Sequence, residues 1–460
     1  MRITRFVVHL IFTVIITSGG CTGRVYSIRH DSMAEYDTLN IRDFGALGDG
    51  SRSEYPAMKL LVDSVNKRGG DVVLVFPPGV YRVDEHNDVN NNFDLRFVNC
   101  SAVHIIGHGA IISINGSFMR RETRRSGKHG YSALNQPSLF YFQDCDDVSV
   151  FGLEINGNVQ DMNREKGVVE RGQGLLTFSG CLKITLRNVY LHHSPSDGIY
   201  IGPTKRNSSK LTAENVKCLN NARQGMSITG LRVGVVKNSV FSDTGVTSGD
   251  YGFHAPGAGI DIEPRKINAA KTGDIEFYNC VFENNIGGQF ICTKPTTTSN
   301  IRILKSTFKG NDAYSRYELI LAADSVLVDD CDFWLGEGNI FPTWKAAPGS
   351  RVTIQNSTIR SSLNGILSAS VHPSDNVVIK RNKLIFEGDT LKSFFPYLQT
   401  KNLEFIENDV FIPSKAMKNK RVASLVQRAR LSRDNVFRTD SPGIKPTVSY
   451  KGAALVSDTD

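Results

Sequence analysis

Two carboxylates stand two residues apart in Ala258-Gly259-Ile260-Asp261-Ile262-Glu263-Pro264. Along a strand successive side chains alternate faces, so Ile260 and Ile262 face a core while Asp261 and Glu263 face outward, roughly 6.6 Å apart. The stretches Gly198-Ile199-Tyr200-Ile201 and Gly225-Met226-Ser227-Ile228 repeat that arrangement. Aligned on their glycines, they set Tyr200, Ser227 and Asp261 in one outward column on strands about 4.8 Å apart. Asp197, Arg223 and Gln224 lie just before the first two glycines, and Tyr251 and His254 lie in the stretch before the third. Single outward acids are commonly no more than solvated turn residues. Side by side they repel, so the pair calls for a cation or a reacting group between them.

Three chemistries fit these residue types. Asp261 and Glu263, with a neutral oxygen from Gln224, are hard donors that suit Ca²⁺. A spacing of roughly 6.6 Å is also at the low edge of what an inverting glycosidase needs between its two acids. The third option is carbohydrate binding without chemistry, and the two tryptophans, Trp334 and Trp344, lie away from the column. Basic side chains stand close in sequence: Arg223 before the acids, Arg265 and Lys266 just after them, and Lys294 about one repeat later.

The elements that must position these groups are repeats. From Ile275 to Val410 one pattern returns: Ile275/Phe277/Phe282, Ile301/Ile303/Phe308, Val326/Val328/Phe333, Val352/Ile354/Ile359, Val377/Ile379/Leu384, Leu403/Phe405/Val410. Successive starts are 26, 25, 26, 25 and 26 residues apart. A fixed period in the twenties marks a solenoid whose units stack apolar faces on one another. Period-2 alternation, with a second apolar patch such as Leu319-Ile320-Leu321, leaves room for short strands and none for a long helix. An all-β parallel β-helix follows, and the Leu-x-x-Leu-x-Leu signature of the leucine-rich horseshoe is absent. Earlier units are less regular, with excursions at about 115–138, 157–172 and 242–273. Cys280 and Cys331 share one place in the repeat with Ser306, Ser357, Asn382 and Asn408, which reads as a stacked column at a bend. The cysteines beyond Cys21 are therefore expected as free, mostly buried thiols.

At the chain start, Arg2 and Arg5 precede an apolar run, Phe6–Ile16, and Ser18-Gly19-Gly20-Cys21 follows. Residues 1–21 read as a signal peptide whose end resembles a bacterial lipoprotein site at Cys21. Residues 22–38 read as a tether, 39–414 as the solenoid, and 415–460 as a C-terminal cap and tail. A helix is expected from about Pro56 to Arg68, with Tyr55, Met58, Val62 and Val65 on one face and Gly69 closing it.

Ile41–Gly50, this helix and Phe76-Pro77-Pro78-Gly79-Val80-Tyr81 together resemble the N-terminal start of the pectate-lyase-like superfamily of right-handed β-helices. The resemblance implies a helix that caps the solenoid's open end. Asp261-Ile262-Glu263 is similar to the alternating acids that some β-helix polysaccharide lyases place around a cation. On that likeness the chain is expected to be an exported lyase that cleaves an acidic, uronate-containing polysaccharide by β-elimination. Asp261, Glu263 and Gln224 would hold the Ca²⁺. Lys266 would be the base, with Arg223, Lys294, Tyr200 and His254 as further catalytic groups, and Arg265, Gln224, Asp197 and Tyr251 would bind substrate. A glycoside hydrolase and a non-catalytic carbohydrate-binding β-helix are the alternatives. The net charge of +8 favours anionic partners. No basic helix, zinc-finger spacing or aromatic RNA-binding motif points to nucleic acid. A monomer is expected, held to a bacterial outer membrane only through a lipid on Cys21.

Overall fold

The structure is a computed structural model, and it describes residues 36–84, 95–115, 123–125, 132–135, 138–161, 168–172, 174–203, 209–246, 255–264, 272–293, 298–310, 317–336, 339–341, 349–362, 376–389, 402–416, 426–427, 429–440 and 450–451. The sequence expectations for the signal peptide and most of the tether lie outside these residues. Among the described residues no helix is long and apolar enough to cross a membrane.

Each turn of chain lays down short strands and passes on. One turn consists of Asp274–Tyr278, Val281–Glu283 and Gly288–Cys292; the next of Asn300–Leu304, Thr307–Lys309 and Tyr317–Leu321. Equivalent strands pair in parallel, in the register set by the repeat: Ile275 to Ile301, then Val326, Val352, Val377 and Leu403. The first two strands of each turn belong to a 24-stranded sheet and the third to a nine-stranded sheet. With parallel strands joined by crossovers, this is the right-handed parallel β-helix. Its interior is one continuous apolar cluster, in which Phe282, Phe308 and Phe333 stack at centroid spacings of 4.7 Å.

The bend between the first two strands explains the column of small residues. Asn279, Lys305, Asp330, Asn356, Arg381 and Glu407 all adopt left-handed backbone there. The next residue then points inward, and its amide donates to the side chain one rung on. Cys280 N donates to Ser306 Oγ, Cys331 N to Ser357 Oγ, Ser357 N to Asn382 Oδ1 and Asn382 N to Asn408 Oδ1, at 3.0–3.1 Å. Amides that the turn removes from the sheet ladder are thereby paired inside the core. The seven cysteines of the described residues are free and buried, and burial pushes the Cys280 and Cys331 thiols up to about 12.

The helix spans Tyr55–Arg68, with Met58, Leu61, Val62 and Val65 buried and Gly69 left-handed at its end. Asn66 serves the free edge of the first strand of the nine-stranded sheet: its Nδ2 donates to Arg96 O at 2.8 Å, and Val98 N donates to its Oδ1 at 3.0 Å. An exposed sheet edge is thereby blunted.

One expectation is corrected. The coil does not stop at 414: Ala429–Arg433 pairs with Asn402–Ile406, and Val436–Arg438 pairs with Asp409–Phe411. The repeat is masked there because Ala429 and Ser432 stand opposite Leu403 and Phe405. The excursions near 115–138 and 157–172 come together. Thr123–Arg125, Ser132–Asn135 and Val168–Gly172 form one small three-stranded sheet.

Candidate functional site

The nine-stranded sheet carries the site. Its strands are β1 (Leu95–Val98), β2 (Phe140–Gln143), β3 (Gly174–Ser179), β4 (Asp197–Gly202), β5 (Gln224–Ile228), β6 (Ala258–Ile262), β7 (Gly288–Cys292), β8 (Tyr317–Leu321) and β9 (Asn339–Phe341). Ile199, Met226 and Ile260 share one inward row, and Ile201, Ile228 and Ile262 another. All six are buried in the core. The intervening row, Tyr200, Ser227 and Asp261, is in register on the outer face as the spacing predicts.

Asp261 departs from expectation in one respect. It projects from the outer face but is only 4% exposed, whereas Glu263 is exposed. The cause is its neighbours. Gln224 Nε2 donates to Asp261 Oδ2 at 2.5 Å, and Arg223 and Asp197 act on the same carboxyl electrostatically. Burial raises the Asp261 carboxyl to about 7; the charges of Glu263 and Asp197 push it the same way, while Arg223 and the Gln224 hydrogen bond oppose them. Two nearby carboxyls have thus been given different surroundings, one dry and one wet. That is the usual physical basis for separate acid and base roles.

Asp197 is fully buried, and Arg223 Nη1 donates to both of its oxygens at 3.0 Å. The expectation of Arg223 as a catalytic group is therefore corrected: its cation is engaged with an internal carboxylate. Gln224 is likewise engaged at both ends, since its Oε1 accepts from Arg223 Nη1 at 3.3 Å while its amide holds Asp261. It is a spacer between the ion pair and the acid. Its expected roles as metal ligand and substrate contact do not fit that geometry. Tyr200 is half-buried, and its hydroxyl shares a hydrogen bond with Thr229 Oγ1 at 2.9 Å. Among the described residues, no group of three or more His, Cys, Asp or Glu side chains is placed to hold a metal. Asp261 and Glu263 supply two of the six to eight oxygen ligands that Ca²⁺ takes, and the mechanism below takes no step through a cation.

Lys266, Arg265, Lys294, His254 and Tyr251 lie outside the described residues. The structure brings together Asp197, Arg223, Gln224, Asp261 and Glu263, with Tyr200 two rungs away. His192 and His193 meet each other (Nδ1 to Nδ1, 2.7 Å), and His192 Nε2 meets Glu154 Oε1 at 3.3 Å. Sequence reasoning missed a second polar group. Asn285 Nδ2 donates to Gln289 Oε1 at 2.7 Å, and Gln289 Nε2 donates to the fully buried Glu318 at 3.0 Å. Alternation around Leu319 puts Glu318 on the outer face and gives no sign of its burial.

A solenoid of this hand, with buried acids on the outer face of its short sheet, has the architecture of pectate-lyase-like proteins. Residues 38–307 match the family described as Rhamnogalacturonase A/epimerase, pectate lyase-like. The match spans more than half the chain, and the chain belongs to that family. Among solved structures it is similar to the bacteriophage Phi29 gene product 12 N-terminal fragment (TM-score 0.55, 12% identity, covering 87% of this chain and 70% of that one). It is also similar to the Azotobacter vinelandii mannuronan C-5 epimerase AlgE4 A-module (TM-score 0.48, 14% identity, 90% and 100% covered). A third is PfbA, a surface adhesin of Streptococcus pneumoniae (TM-score 0.47, 13% identity, 91% and 93% covered). At such identities the likeness is one of fold. No curated protein matches the sequence.

Proposed function

We propose that this chain is an exported, lipid-anchored enzyme that cleaves an acidic, uronate-containing polysaccharide by β-elimination at Asp261. The observation that carries the reading is a buried carboxyl held near neutrality by its surroundings, in the same outward row as Tyr200. A neutral carboxyl can donate a hydrogen bond to the uronate carboxylate of the substrate. That interaction draws charge from the carboxylate and makes the hydrogen at C5 more acidic. A base then removes the C5 proton, the electron pair forms the C4–C5 double bond, and the C4–O bond breaks. The departing oxygen needs a proton. Tyr200, with Ser227 as the small side chain between it and Asp261, stands on the row where that proton can be supplied. Lys266, three residues beyond Glu263 in the chain, is the candidate base. Family membership supports action on a polysaccharide, and the cationic net charge supports an anionic one.

Hydrolysis is the second reading, favoured by the closeness of Glu263 to Asp261. There Asp261 would protonate the leaving oxygen while Glu263 activates water. Incubation with uronate polymers, following ultraviolet absorbance and reducing ends together, separates the two. Elimination yields a conjugated unsaturated uronate with every new reducing end. Reducing ends without that absorbance would sink the lyase reading.

A further inference from the structure

The outer face of the nine-stranded sheet differs on the two sides of Asp261. Toward the C-terminal coils the same row continues as Ile291 and Ile320. Both are only 6% exposed and form a separate apolar cluster with Ala258. Toward the N-terminal coils the row continues from Tyr200 through Thr177 to Tyr141 and Arg96. Tyr200, Tyr141 and Arg96 are half-buried. The Arg96 guanidinium lies over the Tyr141 ring, 4.4 Å from its centroid, and its Nη1 reaches Gln143 Oε1 at 3.4 Å. Ser227 and Thr177, which alternate with the tyrosines in the row, are buried, so one side of the acid is covered and apolar while the other presents half-buried aromatic and cationic side chains at Tyr200, Tyr141 and Arg96.

We infer that the polysaccharide lies on one side of Asp261 only, along the outer face of β1–β5, with Arg96 holding a uronate carboxylate at the far end. This rests on the proposed function for the identity of the sugar, and on the geometry for its path. From Asp261 to Arg96 is five rungs in register, or about 24 Å at the spacing of parallel strands. A pyranose chain that advances one residue per rung would cross Tyr200 and Tyr141 on alternate sugars. Aromatic faces of that kind pack against the apolar faces of sugar rings, and a guanidinium presents a planar fork to a carboxylate. With Ile291 and Ile320 buried on the other side, cleavage falls close to one end of the bound chain.

The test uses the full chain carrying Asp261→Asn, so that binding is read without turnover. Migration is measured in gels containing polygalacturonate, alginate or hyaluronan. The expected result is retardation by at least one polymer and loss of about tenfold in affinity on adding Arg96→Gln, the effect of one hydrogen bond to a charged group. Arg96→Lys, which keeps the charge, should keep most of the retardation. Binding of the matching trisaccharide, too short to reach Arg96, should not change. Polymer affinity indifferent to Arg96, or an equal loss on the trisaccharide, overturns the inference. If wild-type protein is held through Arg96 but cleaves nothing, the elimination reading falls and the track stands. If it cleaves the polymer equally well without Arg96, the track falls and the elimination reading stands. Products of active protein should be short from the first minutes, and large random fragments would contradict the one-sided path.

Discussion

Replacing Asp261 by Asn should stabilise the protein, increasingly as pH rises from about 4 to about 7 and fully above that. The carboxyl stands at about 7 in the fold against an ordinary 3.8. An acid whose folded value is raised binds more protons folded than unfolded, so stability falls as pH rises between those values and is level above them. At about 1.36 kcal/mol per pH unit the full penalty is about 4 kcal/mol. Asparagine still offers an oxygen to Gln224 Nε2 but carries no charge, so the penalty disappears. For a chain of 460 residues, unfolding entropy of about 2.1 cal/mol/K per residue converts this to a rise of about 4 °C in Tm. The assay is calorimetric or circular-dichroism melting of both proteins at about pH 4 and about pH 8, either side of the titration. The variant should match wild type at the acid end and exceed it at the alkaline end. A difference independent of pH, or a variant that melts lower at alkaline pH, would refute the claim that burial and the neighbouring charges hold this carboxyl neutral. Stabilisation at the cost of turnover is the pattern expected where function needs a strained group.

Three further outcomes follow from the same geometry. Arg223→Met should cost about 3–5 kcal/mol, because it leaves Asp197 buried without its cation; adding Asp197→Leu should restore most of the loss in urea melts. Asn382→Ala should cost about 1–3 kcal/mol, since its side chain accepts from Ser357 N and donates to Ile354 O inside the core; Asn382→Ser should cost less. Treatment with EDTA should leave both melting temperature and turnover unchanged, because among the described residues no group of three or more His, Cys, Asp or Glu side chains is placed to hold a metal; loss of either on chelation, restored by Ca²⁺, would show that Asp261 and Glu263 share a cation.

The solenoid was legible because its signal is repeated. Ile275 to Leu403 set the register six times over, and the column from Cys280 to Asn408 marks a bend by its small and polar residues alone. The last rung was not legible, since Ala429 and Ser432 carry too little apolar weight to mark a strand. At the site, alternation placed Asp261 on the outer face and aligned it with Ser227 and Tyr200. Alternation says which face a side chain leaves from, however, and nothing about what lies against it. The burial of Asp261 and the pairing of Arg223 with Asp197 depend on contacts between rungs. Those contacts join residues 26 and 37 positions apart in the chain. Arg96 and Tyr141 are not legible in the sequence because the first rungs lack the regular period. The stacked Phe97, Phe142 and Phe178 are the signal that would have aligned them.

The central claim is that a neutral Asp261 enables elimination on an acidic glycan. The most direct test is kcat/KM against pH, followed by the ultraviolet absorbance of the unsaturated product, for wild type and Asp261→Asn. The account predicts that product forms, that the wild-type rate falls as pH rises through about 7, and that the variant loses this fall along with most of its rate. A rate that continues to climb through that pH, or cleavage that leaves no unsaturated end, would contradict it.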